Sequence, residues 1–197
     1  MGAPYYDYLL AGHGMIPLEN QKHITEKIIY LPSYQVNDSK ESAPDITYAR
    51  KDFGLPNKGF IFCCLNNTYK ITPNVLDSWS LILKEVKGSF LLIYSDSEAA
   101  KVNLINEIIL RGVDSKRVIF LRSLPRPEYL ARYRVADLFL DTRPYNAGTT
   151  ASDALRMGLP LLTMRGDSFN SREASGILSA HNLPELITST PKEYELL

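Results

Sequence analysis

The chain has 197 residues, which is enough for one sizeable domain with a short appendage. Hydrophobic residues make up 45% of the sequence and charged residues 22%, shares that are typical of a globular protein. The 22 Lys and Arg residues balance the 22 Asp and Glu residues, so no overall field attracts nucleic acid or an anionic membrane. We therefore expect no nucleic-acid or membrane partner, and any bound anion must be held by local groups.

The cysteines and the N-terminal residues indicate the compartment. Cys63 and Cys64 are neighbours in an apolar run, so they point to opposite faces of a strand, and buried thiols are favoured over a disulfide or a metal site. No apolar stretch reaches the roughly 20 residues of a membrane helix, and the first residues carry Asp7 without a basic leader. We expect a soluble cytoplasmic protein, since free thiols suit a reducing compartment.

From Gly59 onward, short apolar runs alternate with amphipathic stretches. Buried strands are predicted at residues 60–65, 90–94, 118–121, 137–140 and 160–164. Helices are predicted within residues 72–88 and 97–112, at 127–134, at about 149–157, near 172–180, and from about 191. Because these strands are apolar throughout and separated by helices, they predict a doubly wound, Rossmann-like parallel sheet of the α/β class. In such sheets ligands bind at the carboxyl ends of the strands.

Residues 1–58 have a different character. Strands are possible at residues 5–10 and 27–31, but residues 32–44 are polar and rich in turn-forming residues. This part resembles the end of another unit more than a domain of its own. The sequence thus divides into a leading segment, 1–58, and an α/β domain, 59–197.

The segment 141–153 joins a buried strand to a helix that begins with Gly148, Thr149 and Thr150. Backbone N–H groups and the positive end of the helix dipole converge at such a helix start, which makes it a ready site for a phosphate. Glycine allows a ligand to approach the backbone closely, and the hydroxyls add donors. The alternative is that Thr150 and Asp153 form a capping pair and nothing binds there.

Lys70 follows the first strand of the domain, which places it at a carboxyl edge where a cation could reach a diphosphate. Taken alone, it could equally be a solvated lysine before a helix.

A basic and aromatic helix follows the third strand. Its Tyr129 or Tyr133 could stack on a base, and Arg126 or Arg132 could hold a charge. The alternative is an amphipathic surface helix whose arginines face water.

Several common site motifs are missing from the sequence. No G-x-G-x-x-G follows a strand and no G-x-x-x-x-G-K-[ST] exists, so a dinucleotide oxidoreductase and a P-loop protein are disfavoured. The three histidines are scattered, and no Asp-x-Asp pair stands in a suitable loop. We therefore predict no metal site and no metal-held diphosphate.

Five segments in order carry a specific likeness: residues 1–10, 25–32, 66–70, 132–142 and 145–155. Together they resemble the catalytic region of the O-linked N-acetylglucosamine transferases, including the plant SPINDLY-type and bacterial members. The resemblance implies the GT-B arrangement, in which two Rossmann-like lobes face each other and the C-terminal lobe holds most of the sugar nucleotide. It implies that residues 1–58 are the tail of the N-terminal lobe and a linker, and that 59–197 form the donor-binding lobe, incomplete at its C-terminus.

The resemblance also assigns roles to residues. It places the family's diphosphate-holding catalytic lysine at Lys70, with Asn67 at a neighbouring donor-site position. The start of the phosphate-facing helix falls on Thr149 and Thr150, and the ribose-binding acid on Asp153. Arg126 corresponds to a basic residue near the uracil, and Arg132 matches an arginine of the same helix.

Two departures from the family pattern stand out. Many relatives have His where this chain has Gly148, and this difference puts sugar specificity and rate in question. The animal enzymes have His beside the uracil where this chain has Tyr129, whose ring could still stack.

The function that the resemblance implies is inverting, metal-independent transfer of N-acetylglucosamine from UDP-GlcNAc to Ser or Thr hydroxyls of proteins. No cofactor is expected besides this donor substrate. The expected partners are an acceptor protein or peptide, and the N-terminal lobe and TPR repeats that family members carry. The chain alone is expected to catalyse poorly or not at all. A non-catalytic nucleotide-sugar-binding or regulatory module, and a GT-B enzyme for another sugar nucleotide, remain alternatives.

Overall fold

The computed structural model describes residues 2–32 and 40–197, and within them eight strands and six α-helices are formed. The strands are β1 Tyr8–Gly12, β2 Lys27–Leu31, β3 Ile61–Cys64, β4 Phe90–Tyr94, β5 Val118–Leu121, β6 Leu138–Leu140, β7 Leu161–Met164 and β8 Ile187–Thr188. The helices are α1 Pro73–Glu85, α2 Glu98–Leu110, α3 Arg126–Ala131, α4 Thr149–Arg156, α5 Glu173–Ala180 and α6 Pro191–Leu196. None of these helices in the described ranges is long and apolar enough to span a bilayer.

Six strands form one parallel sheet in the order β5-β4-β3-β6-β7-β8. Counted from β3 as the first strand, this is the order 3-2-1-4-5-6 of the doubly wound dinucleotide-binding folds. The predicted Rossmann-like α/β class is therefore confirmed. The strand order reverses between β3 and β6, and the chain leaves these two neighbours in opposite directions, which opens a crevice at their carboxyl ends.

The sheet forms where the apolar runs predicted it, because strands covered on both faces must be apolar throughout. β4 and β5 have the predicted bounds, and all four residues of β3 are buried. Ser97 caps α2, since its side chain accepts a hydrogen bond from the amide of Ala100. Thr72 is the N-cap residue of α1 but makes no side-chain capping bond, and its hydroxyl donates to the carbonyl of Arg143.

Residues 2–32 of the leading segment form a small unit with its own sheet and its own apolar cluster. β1 and β2 pair in parallel as a separate two-stranded sheet, with Tyr8 opposite Lys27. A turn closed by the amide of Tyr6 and the carbonyl of Ala3 delays the first strand to Tyr8, later than the sequence predicted. This segment packs on α5: a Cβ built on Gly14 would lie 2.7 Å from the Cα of Gly176.

The last helix is fastened to the sheet by one buried side chain. Tyr194 of α6 is 1% exposed, and its hydroxyl donates to the carbonyl of Asp141 at 3.0 Å. The same hydroxyl accepts a hydrogen bond from the indole N–H of Trp79 in α1 at 3.2 Å. Tyr194 thus ties α1 and α6 to the end of β6, beside the crevice.

Replacing Tyr194 by Phe should lower the free energy of unfolding by about 2 kcal/mol, because the buried indole N–H of Trp79 loses its acceptor. The measurement is urea unfolding followed by Trp fluorescence. Tyr5→Phe is the control, since Tyr5 is 76% exposed and should give an unchanged midpoint. Equal midpoints for both variants would contradict this role of Tyr194.

Candidate functional site

The crevice between β3 and β6 contains a cavity of about 200 Å³. Its walls come from the turn after β3 and from the start of α4, and they consist of Leu65, Asn66, Asn67, Tyr69, Lys70, Gly148, Thr149 and Thr150. Lys70 and the two threonines are about 80 residues apart in the sequence, and the strand order alone brings them together.

Lys70 is the cation of this cavity. It ends a short 3-10 turn, Thr68–Lys70, directly after β3, and its side chain is half-buried. Its Nζ donates to the carbonyl of Asn146 at 2.9 Å and lies 3.7 Å from the centre of the Tyr145 ring. These contacts aim the ammonium group along the loop that leads from β6 to α4.

Burial lowers the pKa of Lys70, while the negative charges of Asp141 and Glu173 act in the opposite direction. A partly desolvated ammonium group attracts an incoming anion more strongly than a fully hydrated one, because the local dielectric constant is lower. Lys70 is therefore suited to hold a diphosphate.

Asn66 connects the three elements around the cavity. It is 1% exposed, and its Nδ2 donates to Thr142 Oγ1 at 2.8 Å and to Asp141 Oδ1 at 3.3 Å. Its Oδ1 accepts a hydrogen bond from the hydroxyl of Thr150. One buried amide thus holds the end of β3, the end of β6 and the first turn of α4 in fixed relation.

Asp141 fixes the loop between β6 and α4. Its buried carboxylate accepts hydrogen bonds from the amides of Thr142 and Ala147, both at 2.7 Å, and from the hydroxyl of Thr163 at 2.6 Å. Burial nevertheless raises its pKa to about 6, against the lowering effect of these donors and of Lys70. The loop therefore curls around a carboxyl group whose pKa is raised by burial.

Gly148 is the N-cap residue of α4 and is buried. No side chain caps the helix, so the capping pair of Thr150 and Asp153 considered from the sequence is not formed. A Cβ built on Gly148 would lie 2.0 Å from Oε1 and 2.4 Å from Cδ of Glu173, the first residue of α5. The space beside the helix start is therefore taken by a carboxyl group.

A second polar cluster lies one turn further along α4. Asp153 is fully buried and receives two hydrogen bonds of 2.7 Å from the guanidinium of Arg126. The same guanidinium makes two bonds of 2.8 Å to Glu41, which also contacts Arg156 at 3.2 Å. The hydrogen bonds that Arg126 donates to Asp153 and Glu41 raise its pKa further above its usual range.

Tyr129 and Arg132 of the α3 region lie beside this cluster. The Tyr129 ring is partly exposed, and the guanidinium carbons of Arg132 and Arg126 lie 4.6 Å and 5.4 Å from its centre. Its hydroxyl contacts that of Tyr133 at 2.6 Å. Arg132 is 2% exposed and donates to the carbonyl of Arg122, so it supports Tyr129 from below and presents no surface of its own.

A larger cavity of about 710 Å³ lies on the other side of the loop after β6 and includes Arg143. Three carboxylates also line it, those of Asp77, Asp167 and Glu195. Lys70 and the start of α4 line the smaller cavity and not this one, so the smaller cavity is the better candidate for an anion site.

The structure thus divides the predicted site residues into two groups. One cavity gathers Asn67, Lys70, Gly148, Thr149 and Thr150. The residues Arg126, Tyr129 and Asp153 form a second cluster along α3 and α4, and Arg132 lies buried beneath it.

Sequence reasoning did not single out Asn66, Asp141, Glu41 or Glu173. For Asn66 and Asp141 a signal existed, since each is a polar residue that directly follows a buried strand. Glu41 and Glu173 reach the site from distant segments, and no local pattern marks them.

Comparisons with known proteins identify the family and the fold. The model of the family described as Glycosyl transferase family 41 matches residues 34–197. The chain is 33% identical over 201 residues to the probable UDP-N-acetylglucosamine–peptide N-acetylglucosaminyltransferase SEC of Arabidopsis thaliana, covering 98% of this chain and 21% of that protein. It is 35% identical over 146 residues to the UDP-N-acetylglucosamine–peptide N-acetylglucosaminyltransferase of Caenorhabditis elegans, covering 74% of this chain and 13% of that protein.

Among solved structures, a mutant O-GlcNAc transferase from Thermobaculum terrenum superposes with a TM-score of 0.82 at 28% identity. The match covers 96% of this chain and 36% of that one. The chain therefore spans about a fifth of the length of the Arabidopsis relative and about a third of the bacterial one.

The titration of Asp141 should be visible in the stability of the fold. Its pKa is raised from the ordinary 3.8 to about 6, so the folded protein binds more protons than the unfolded chain between these values. This contribution stabilises the fold below about pH 4 and is lost as the pH rises through about 6. Relative to Asp141→Asn, the wild-type free energy of unfolding should fall by about 3 kcal/mol across this window. Parallel urea-unfolding curves at all pH values would show that Asp141 does not titrate there.

Proposed function

Because the chain belongs to glycosyl transferase family 41, we propose that it forms the donor-binding part of an enzyme that transfers N-acetylglucosamine from UDP-GlcNAc to Ser or Thr hydroxyls of proteins. The observation that carries the proposal is the cavity shared by Lys70 and the first turn of α4, at the point where the strand order reverses. The names of the relatives support the choice of donor and acceptor.

The diphosphate of the donor occupies this cavity in the proposed complex. Lys70 supplies a positive charge, the positive end of the α4 dipole adds a second favourable potential, and the hydroxyl of Thr150 stands at the same wall. These groups are held in place by Asn66 and by the loop around Asp141, so little reorganisation is needed when the anion arrives.

Sugar transfer at this site follows an inverting displacement. The acceptor oxygen forms a bond to the anomeric carbon while the bond from that carbon to the diphosphate breaks, and the hydroxyl proton passes to a base. Negative charge grows on the leaving diphosphate, so Lys70 and the helix terminus stabilise the transition state more than the ground state. In this proposal protein groups supply the positive charge, and no metal ion is required for it.

The uridine lies over the second cluster. Asp153 is the proposed ribose-binding acid, and because its carboxylate is fully buried and paired with Arg126, the donor must displace part of that pairing to reach it. The partly exposed ring of Tyr129 is available to stack on the uracil. Asn67 is an exposed residue in the wall of the Lys70 cavity, where it is available to the donor.

The remaining parts of the enzyme are partners of this chain. The chain spans only about a fifth of the length of the Arabidopsis relative, so the facing lobe, the acceptor site and the TPR region are proposed to be supplied outside it. We place the protein in the cytoplasm, where the buried thiols of Cys63 and Cys64 remain reduced.

Replacing Lys70 by Met should weaken the binding of UDP-GlcNAc by roughly a hundredfold, because the cavity loses its cation while the apolar stem is kept. Isothermal titration calorimetry measures the affinity, and a thermal melt shows whether the fold is intact. The matched control is Lys87→Met, which removes an exposed lysine between α1 and β4. Equal affinities for wild type and Lys70→Met would refute the proposed diphosphate site.

Competition among nucleotide sugars tests the donor. UDP-GlcNAc and UDP-glucose should displace a bound UDP probe at lower concentration than GDP-mannose, since Arg126, Tyr129 and Asp153 are proposed to hold uridine, and the order of the two UDP sugars reports the preferred sugar. Donor hydrolysis and peptide transfer are then measured on the complete gene product. Binding without turnover there would favour the non-catalytic module, and preference for another sugar nucleotide would favour a different GT-B enzyme.

A further inference from the structure

Glu173 brings an acidic side chain to the flank of the proposed diphosphate site. It is the first residue of α5, it is half-buried, and its carboxyl group lies against Gly148 at the start of α4. No hydrogen bond from residues 2–32 or 40–197 reaches this carboxyl group. A carboxylate with so few partners beside an anion site weakens anion binding by charge repulsion. The position of Glu173 therefore needs a functional explanation.

The charged and titratable groups that face Glu173 come from two segments. Lys70, in the turn after β3, is the cation that acts on it, and Tyr145 lies in the loop before α4. Asp141 acts on the same lysine from the end of β6. The lysine therefore interacts with two carboxyl groups, and a diphosphate would add further negative charge to this set.

We propose that Glu173 sets the affinity for the sugar nucleotide: its carboxylate opposes the donor diphosphate, and donor binding is coupled to the uptake of a proton by Glu173. The inference rests on the proposed function, because it requires the diphosphate to lie between Lys70 and the start of α4.

The sign of the pH dependence follows from the charges. Burial already raises the pKa of Glu173 in the free protein, and Lys70 acts against that rise. A bound diphosphate raises the pKa further, so the complex holds the proton at pH values where the free protein has released it. Donor affinity is therefore highest at acidic pH and falls as the pH rises through the pKa of the free protein.

The position of the Glu173 carboxyl group depends on Gly148. Any side chain at this position would place its Cβ 2.0 Å from Oε1 of Glu173, so the carboxyl group would have to leave. Glycine is the residue that lets the acid stand next to the helix terminus. The absence of a side chain at 148 and the presence of the acid at 173 thus form one arrangement.

The test uses Glu173→Gln, which keeps the shape and removes the charge, and Glu173→Met, which in addition removes the polar head. UDP-GlcNAc is titrated into each protein between about pH 5.5 and about pH 8, a range over which a raised carboxyl pKa is sampled. UDP-GlcNAc is used because its diphosphate is doubly esterified and does not itself titrate near neutrality. Titration in buffers of different ionisation enthalpy reports the protons taken up.

Both variants should bind UDP-GlcNAc about tenfold more tightly than wild type at about pH 8, as expected for removing one nearby like charge. The gain should shrink as the pH falls toward about 5.5, and proton uptake should fall in both variants. The residual pH dependence that Asp141 contributes is common to all three proteins. Glu85→Gln removes an exposed carboxylate at the end of α1 and should behave as wild type.

Three outcomes overturn the inference. Weaker binding by Glu173→Gln would show that the acid supports the donor, and unchanged affinity with an unchanged pH profile would show that it does not act on the donor. In both cases the proposed function stands, because UDP-GlcNAc still binds. Failure of wild type and both variants to bind UDP-GlcNAc over the whole range would refute the proposed function and the role of Glu173 together.

Discussion

The site depends first on the buried carboxylate of Asp141. A β6 strand of three residues ends here, and the loop that follows must turn back over the sheet with its amides inside the protein. Asp141 satisfies two of those amides and the hydroxyl of Thr163 on the neighbouring strand, and Asn66 joins it from β3. Buried backbone donors are expensive to leave unpaired, so this one acid determines the path of the loop. The positions of the Asn146 carbonyl, and therefore of Lys70, follow from that path.

The same arrangement places a cation and two carboxyl groups close together at the cavity. Lys70 is half-buried and attracts a diphosphate, yet two carboxyl groups act on it from within the protein. Burial raises the pKa of Asp141 to about 6, and it raises the pKa of Glu173 as well. Protonation of these groups relieves repulsion when an anion enters, so the affinity of the site and its proton content are linked. Such a site binds its ligand through one cation, and protonation of the two nearby acids changes the binding affinity.

The sequence predicts much of this structure for identifiable reasons. β4 and β5 lie where continuous apolar runs place them, and the rule that parallel strands bind ligands at their carboxyl ends brings Lys70 to Thr149 and Thr150. The two-residue strand β8 carries too little pattern to be predicted. The contact of Glu173 with Gly148 depends on how α5 packs against the start of α4, a tertiary fact that no spacing along the chain reveals. For Arg132, residue type suggested a ligand contact, whereas packing buries it below Tyr129.

The two ends of the site differ in charge balance, and this difference assigns them to different parts of a ligand. Around Arg126, two guanidinium groups face the carboxylates of Glu41 and Asp153, so the cluster is neutral and each acid is already paired. An uncharged ribose that exchanges hydrogen bonds with this cluster leaves its net charge unchanged. Around Lys70, one ammonium group faces Asp141 and Glu173, so acids exceed bases and the balance shifts with protonation. An anion therefore changes the proton content only at the Lys70 end, which makes the diphosphate the part of the donor that pH controls.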